Sequence, residues 1–265
     1  MRRNRGRETL LALVLLAPSL VVFGVFVFYP LVRTAWLGLH RNDFFGGNRT
    51  YVGWSQYGDV LTSDIFRDSL ATTAMFALLT VPAGLVLGLG LAVLADKKLR
   101  GIGLFRTLFA STVATSVAVA SLMFLVLFNP SIGVLTELLP FDVLKNPGLL
   151  NDPDTALVAV AVTTVWQNLG FTFVVISAGL QSLPRELHES AMIDGAGSLR
   201  RFAEITVPLL TPTLLFVVVV LTIGAFQTYG QIDLLTQGGP GDSTRVLVYS
   251  IYGRSSPIVN NEGVQ

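Results

Sequence analysis

The sequence predicts an all-α polytopic membrane protein, and three observations lead there: long charge-free windows, an apolar composition, and an uneven distribution of lysine and arginine. Five windows, bounded by the nearest charged residues, cover 9–32, 69–95, 107–136, 155–184 and 205–232, each at least 24 residues long. A bilayer core of roughly 30 Å needs about 20 apolar helical residues, so every window is long enough. Of 265 residues, 52% are hydrophobic and only 13% charged, with mean hydropathy +0.64, outside the usual range of soluble domains.

Hydropathy trims the windows to spans near 9–30, 70–94, 105–128, 157–180 and 208–229, since lipid offers backbone amides no outside partner. The first follows a basic start, MRRNRGRETLLALVLLAPSL. A signal peptide has an apolar region of only about 7–15 residues. Here the apolar run continues to Pro30, which favours an uncleaved span. The segment after it mixes turn formers with a short amphipathic piece, Tyr57, Val60, Leu61 and Ile65, suited to a membrane surface. In the second span Gly84, Gly88 and Ala92 repeat a small side chain at every fourth position, the pattern of close helix packing. The segment between the third and fourth spans is broken by prolines 130, 140, 147 and 153. Beyond the fifth, LLTQGGPGDSTR reads as a tight turn. The tail SSPIVNNEGVQ is too short and polar to cross, and it stops where a further span is expected to begin.

Charge sets the expected orientation. With the N-terminus inside, the inner segments hold 11 of the 18 lysines and arginines against 6 acidic residues, so the inner side is net +5 and the outer side net −4. The bias in Lys and Arg agrees with the positive-inside rule and puts the N-terminus in the cytoplasm. A chain net charge of +1 gives no field for nucleic acid, and the absence of cysteine excludes disulfides, thiolate metal sites and a cysteine nucleophile.

Between the last two spans lies a polar insert, residues 182–206, containing ELHESAMIDGAGSLRRFAEIT. Ser182 is placed to cap a helix from Leu183 to about Asp194, with Glu186 near its positive end. Gly195 and Gly197 break it, and Ser198 is placed to cap a second short helix to Thr206 with Leu199, Phe202 and Ile205 on one apolar face. Glu189 and Asp194 would lie about 140° apart around a helix, a poor geometry for a catalytic dyad. Glu186 and Glu189 share a face, which is ordinary for solvated glutamates. His188 has no second ligand at metal spacing, because the other histidine, His40, is assigned to the opposite side. A charged knob on the inner ends of two spans is suited to docking a cytoplasmic partner.

The stretch ESAMIDGAGSLRRFAEITVPLLTP resembles the EAA loop of ABC importer permeases, whose form is EAA, three residues, G, and later I-x-x-P-x-L-x-P. Glu189, Ala191, Asp194, Gly195, Ala196, Phe202, Ile205, Pro208, Leu210 and Pro212 hold matching positions, and Ser190 replaces the middle alanine with another small residue. Pro18, Tyr29-Pro30, VGWSQYGDVL, LFNPSIGV, LLTQGGP, Thr244 and Tyr252 extend the resemblance along the chain, toward the carbohydrate and glycerol-phosphate uptake branch and most of all its A-type sn-glycerol-3-phosphate permease subunits. The resemblance implies a type I ABC importer transmembrane domain over residues 1–265 in the bacterial inner (plasma) membrane, with five spans visible and a sixth beyond them. It implies a second permease subunit, two cytoplasmic ATPase subunits and an extracellular or periplasmic solute-binding protein. It also implies that residues 189–195 enter the ATPase, with Phe202 and Ile205 tying the second helix of the loop to the membrane domain. This chain has no GxxxxGK[ST] motif, so no cofactor is expected on it, and ATP and Mg belong to the partner ATPase.

Polar side chains within spans tend to face a cavity. Trp166, Gln167, Asn168 and Phe171 in the fourth span, and Phe226, Gln227 and Tyr229 at the outer end of the fifth, are candidates for a solute path. Aromatic faces beside amides suit a sugar or polyol, and interhelical hydrogen bonding explains the same residues equally well. No lysine or arginine lies deep in a span, so a phosphate would need Arg33, a partner chain or backbone dipoles. Two other classes compete. A membrane-embedded enzyme lacks an acid, histidine or lysine in the spans, and an ion-coupled secondary transporter commonly carries intramembrane charge or broken helices.

Overall fold

A computed structural model describes residues 5–42, 49–96, 101–133 and 148–255. The chain groups into two compact units, Met1–Arg67 and Asp68–Gln265.

In the first unit, α1 (Arg5–Phe23) passes through a π-helical turn, Gly24–Phe28, into α2 (Tyr29–Leu37). The Tyr29 N–H bonds the Gly24 carbonyl five residues back, and Pro30, which has no N–H to give, comes immediately after. Leu11–Leu37 passes as one membrane-length helix with none of its most apolar window buried. At 1.5 Å per residue it measures about 40 Å, and lipid is the solvent that tolerates such a surface. The chain beyond α2 is more ordered than an amphipathic surface piece. Strands β1 (His40–Asn42) and β2 (Arg49–Tyr51) pair antiparallel, His40 opposite Tyr51. Helix α3 (Ser55–Thr62) comes next, and the Tyr57 hydroxyl donates to the Ala35 carbonyl at 2.9 Å. Val60, Leu61 and Ile65 are nonetheless exposed.

The second unit is built around α4 (Asp64–Asp96), whose first turn lies in the first unit, and the helix Pro153–Gln181. The expected second span begins six residues early because the Ser63 Oγ accepts the Phe66 N–H and starts the helix there. At the other end, the Arg106 guanidinium donates to the Ala95 carbonyl at 2.8 Å, placing a cation at the negative end of the helix.

The third expected span is not one straight helix. It divides into α5 (Ile102–Ala110), which runs on through a 3-10 turn at Ser111–Ala114, and α6 (Val117–Leu127), with a bend of 107° between them. Ser116 caps α6 through its Oγ, which accepts the Val119 N–H at 3.3 Å. Residues 134–147 lie outside the described residues, and with them Pro140 and Pro147 of the proline-broken segment.

Helix α7 (Pro153–Gln181) is the centre of the unit, with 56% of its most apolar window buried, against 28% and 22% for α4 and the last long helix. The small residues expected to allow close packing do so. A Cβ on Gly88 would lie 2.7 Å from Thr172 of α7, and one on Gly84 would lie 3.2 Å from Leu221. Short helices α8 (Arg185–Ile193) and α9 (Ser198–Arg201) come next, then a π-helical turn, Phe202–Thr206, and α10 (Val207–Phe226). Two further helices complete the described chain, α11 (Gly230–Leu235) and α12 (Leu247–Ser255). The Leu247 N–H bonds the Thr73 Oγ1 at 2.9 Å and Ser250 meets Ser69 at 2.6 Å, fastening α12 to α4.

Candidate coupling loop and transport path

Two helix ends shape the polar insert. Ser182 closes α7 instead of opening α8, because its N–H bonds the Ala178 and Gly179 carbonyls and its Oγ donates to Gly179 at 2.7 Å. The extended Pro184 (φ −62°, ψ 122°) starts α8 at Arg185, two residues later than expected. Its end is a complete Schellman motif: the Gly195 N–H bonds the Met192 carbonyl and the Ala196 N–H the Ala191 carbonyl, with Gly195 at φ +78°. Among the described residues, and apart from its two chain neighbours, no atom lies within 4 Å of where a Cβ on Gly195 would sit. The constraint there is therefore backbone conformation, since left-handed geometry costs an ordinary L residue roughly 1–2 kcal/mol.

After the turn, Gly197 precedes α9 in extended conformation and Ser198 is the first helical residue, without a capping side-chain bond. The second helix of the insert does not end at Thr206. It runs through the π-helical turn into α10, so that Ser198–Phe226 passes as one 29-residue membrane-length helix. The fifth span thus extends into the loop. Its three expected apolar positions diverge, with Phe202 and Ile205 half-buried at the base but Leu199 80% exposed.

Together these bonds give a short helix on a fixed turn. Ala191 is buried on its inner side, while Glu189, Ser190, Asp194 and Gly195 are exposed, Ala196 is half-buried, and Pro208 is exposed in the first turn of α10. Met192, Ile193 and Leu199 are 52%, 87% and 80% exposed and give the knob an apolar surface. The three-residue spacing of Leu199, Phe202 and Ile205 predicts an inward Leu199 and so conceals that surface in the sequence. His188 Nε2 lies 3.1 Å from the Thr206 Oγ1, a link between α8 and the π-helical turn that the sequence did not reveal.

The candidate path residues separate into two sets. Trp166 packs edge-on against Phe124 at 5.4 Å. Gln167 is held at both ends of its amide, donating to the Thr115 carbonyl at 3.4 Å and accepting from the Gln231 Nε2 at 2.8 Å. Those contacts join the bend between α5 and α6, the middle of α7, and α11. The Asn168 Nδ2 donates to Thr164 within α7. With Thr80, Gly84, Thr164, Val165, Leu221 and Ala225, Asn168 lines a small groove among α4, α7 and α10. Phe171 is half-buried. At the end of α10, Phe226 and Gln227 are exposed, and Tyr229 stacks on Tyr249 at 5.8 Å and meets Tyr252 at 4.6 Å. Gln231 is the partner that the sequence alone did not single out. An amide two residues beyond Tyr229, in apolar surroundings, was the available signal.

The family model described as binding-protein-dependent transport system inner membrane component matches residues 84–258, two thirds of the sequence and all of the insert. The chain belongs to this family. It is a membrane-embedded permease subunit of an ABC importer, in which the ATPase is a separate subunit. Relatives include the sn-glycerol-3-phosphate transport system permease protein UgpA of Agrobacterium fabrum, 36% identical over 248 residues, covering 92% of this chain and 83% of that protein. UgpA of Brucella abortus is 37% identical over 243 residues, covering 90% and 81%. Among solved structures, a bacterial ABC transporter that imports the acidic polysaccharide alginate matches with a TM-score of 0.77 at 22% identity, over 94% of this chain and 85% of that one. The same fold is matched in an alginate transporter in complex with its pentasaccharide-bound periplasmic protein, with a TM-score of 0.75 at 20% identity over 98% and 88%.

Proposed function

We propose that this permease imports a solute of the sugar or glycerol-phosphate type and that its insert is the point at which ATP-driven closure of a partner is transmitted to the membrane helices. The observation that carries the second statement is the form of the insert. It has an exposed acidic and apolar face from Glu189 to Leu199, a Schellman turn at Gly195, and a helix from Ser198 that continues without a break into the membrane-length segment. A push on such a knob reaches the long helix through a fixed turn and continuous helical chain, not through an open loop. For coupling, the knob must bind the two states of the partner with different affinity.

In this reading the partners are a second permease subunit, two cytoplasmic ATPase subunits that use ATP and Mg, and a periplasmic solute-binding protein; the N-terminus and the insert are cytoplasmic. The solute class rests on relatives at 34–37% identity that are named as sn-glycerol-3-phosphate permeases. It also rests on amides and aromatic rings at Trp166, Gln167, Asn168 and Phe171, with Phe226, Gln227 and Tyr229 toward the outer end.

Glu189→Lys reverses the charge of an exposed side chain, and Gly195→Asp strains the turn without a steric collision. Each is expected to leave the protein inserted and assembled, with solute uptake reduced at least tenfold while ATP hydrolysis persists. Normal uptake in both would remove the docking assignment. A thermal-shift screen of the cognate binding protein against disaccharides, glycerol 3-phosphate and glycerophosphodiesters selects the solute. Uptake that survives ATP depletion and collapses with the ion gradient would favour an ion-coupled transporter.

A further inference from the structure

We propose that His188 is a positioning residue that locks the docking helix to the base of the fifth long helix, so that the two move as one body. The proposal rests on the docking reading above, and it concerns how a load on α8 reaches α10. Along the backbone, α8 and α10 are separated by the Schellman turn, the four residues of α9 and a π-helical turn. A π-helical turn replaces the four-residue hydrogen-bond spacing with a wider one, which makes it a place where a loaded helix can bend. Left alone, this turn would dissipate part of any displacement of Glu189.

The His188–Thr206 contact bypasses it. His188 lies on the same face of α8 as buried Ala191, three residues on, and is itself half-buried. Its Nε2 is 3.1 Å from the Oγ1 of Thr206, the last residue of the π-helical turn, which is only 7% exposed. The same hydroxyl points at the carbonyl of Arg201, the residue just before that turn, at 3.5 Å. One buried hydroxyl thus bridges the entrance of the widened turn, its exit and the docking helix. The next backbone amide, Val207, then bonds Phe202 and carries the connection into α10. A Phe at position 188 would fill similar space without the polar end, whereas Gln keeps an amide nitrogen near the position of Nε2.

The test uses the transporter reconstituted in liposomes with its partner subunits, and reads solute moved per ATP hydrolysed. His188→Phe and Thr206→Val are each expected to lower that ratio about fivefold, the equivalent of one lost hydrogen bond. The double variant is expected to be no worse than either single one, and His188→Gln and Thr206→Ser to stay within about twofold of the parent. Recovery by Gln and Ser separates a lost bond from general damage, which would lower assembly in all four.

Because this sequence has no cysteine, His188→Cys with Thr206→Cys can be joined by a short bis-methanethiosulfonate, with the parent transporter treated in the same way to correct for thiols on the partner subunits. Joining is expected to restore coupling. Loss of transport on joining, or unchanged coupling in His188→Phe and Thr206→Val, would overturn the proposal. Glu189→Lys is measured alongside. If it uncouples while His188→Phe does not, the lock alone is wrong; if Glu189→Lys is also normal, the docking reading fails with it.

Discussion

Gly88 and Gly90 lie two residues apart on α4 and make opposite demands on their surroundings. A Cβ at 88 would sit 2.7 Å from both the Cβ and the Oγ1 of Thr172, closer than real side-chain carbons approach, whereas one at 90 would meet nothing within 4 Å among the described residues beyond its own helix. Thr172 is fully buried and its hydroxyl bonds carbonyls of its own helix, so it has little freedom to retreat. Gly88→Ala is therefore expected to force α4 and α7 apart and to cost about 1–3 kcal/mol, the range for overpacking. Gly90→Ala is expected to be neutral or slightly stabilising, because only helix propensity changes. Thermal melts of the detergent-solubilised protein should show a lower midpoint for the first and not the second, with much of the loss recovered by adding Thr172→Ala. Equal midpoints for the two alanine variants would mean that the helices are not packed through Gly88. The spacing of Gly84, Gly88 and Ala92 was legible in the sequence as a packing face. That Thr172 faces Gly88 was not, because it depends on the register between segments more than 80 residues apart.

Helices α2 and α10 begin alike, each preceded by a π-helical turn and each carrying proline as its second residue, Pro30 and Pro208. A proline ring collides with the carbonyl four residues back and offers it no N–H. The widened turn moves that carbonyl aside, and the residue before the proline bonds five residues back instead. Removing one residue from the second turn, for example Ala203, together with Pro208→Ala so that no ring meets the carbonyl four residues back, is expected to restore regular helix and rotate everything before it by about 100° relative to α10. The proposed docking face would then point elsewhere. Insertion and yield should be retained while uptake falls to background; wild-type uptake would show that the orientation of the insert relative to α10 does not matter. Periodicity cannot reveal such turns, since one inserted residue hardly alters an apolar pattern. The same blindness hid the 107° bend between α5 and α6, where every residue from 107 to 136 is uncharged and hydropathy alone reads one span. The trace that did exist was the hydroxyl cluster Ser111, Thr112, Thr115 and Ser116, of which Ser116 is the N-cap that restarts the helix. At the insert, by contrast, glycine placement and charge were enough to show a helix, a break and a second helix, and they failed at the cap residues, at the outward Leu199 and at the far end of the second helix, where tertiary contacts decide.

On the scale of the whole chain the question is which end of each long helix faces the cytoplasm. Among the described residues, length and hydropathy give four membrane-length helices, or five if the bent pair is one span, but they carry no sign. Charge does. Arg200 and Arg201 lie at the start of the Ser198–Phe226 helix, and Arg2, Arg3, Arg5 and Arg7 before the first, while Asp59, Asp64 and Asp68 cluster where the second begins. Lys and Arg are costly to translocate next to a span, so the basic ends should stay inside. The absence of cysteine in this sequence makes this directly measurable, because the purified subunit is compared with the parent, whose 265 residues carry no thiol. Leu199→Cys, at an exposed position in the insert, is expected to resist a membrane-impermeant maleimide in intact cells and to react fully once the inner membrane is opened. Thr50→Cys, exposed on β2 of the hairpin after the first long helix, is expected to react in intact cells. The reverse pattern would invert the topology, place the insert outside, and remove the proposed docking role with it.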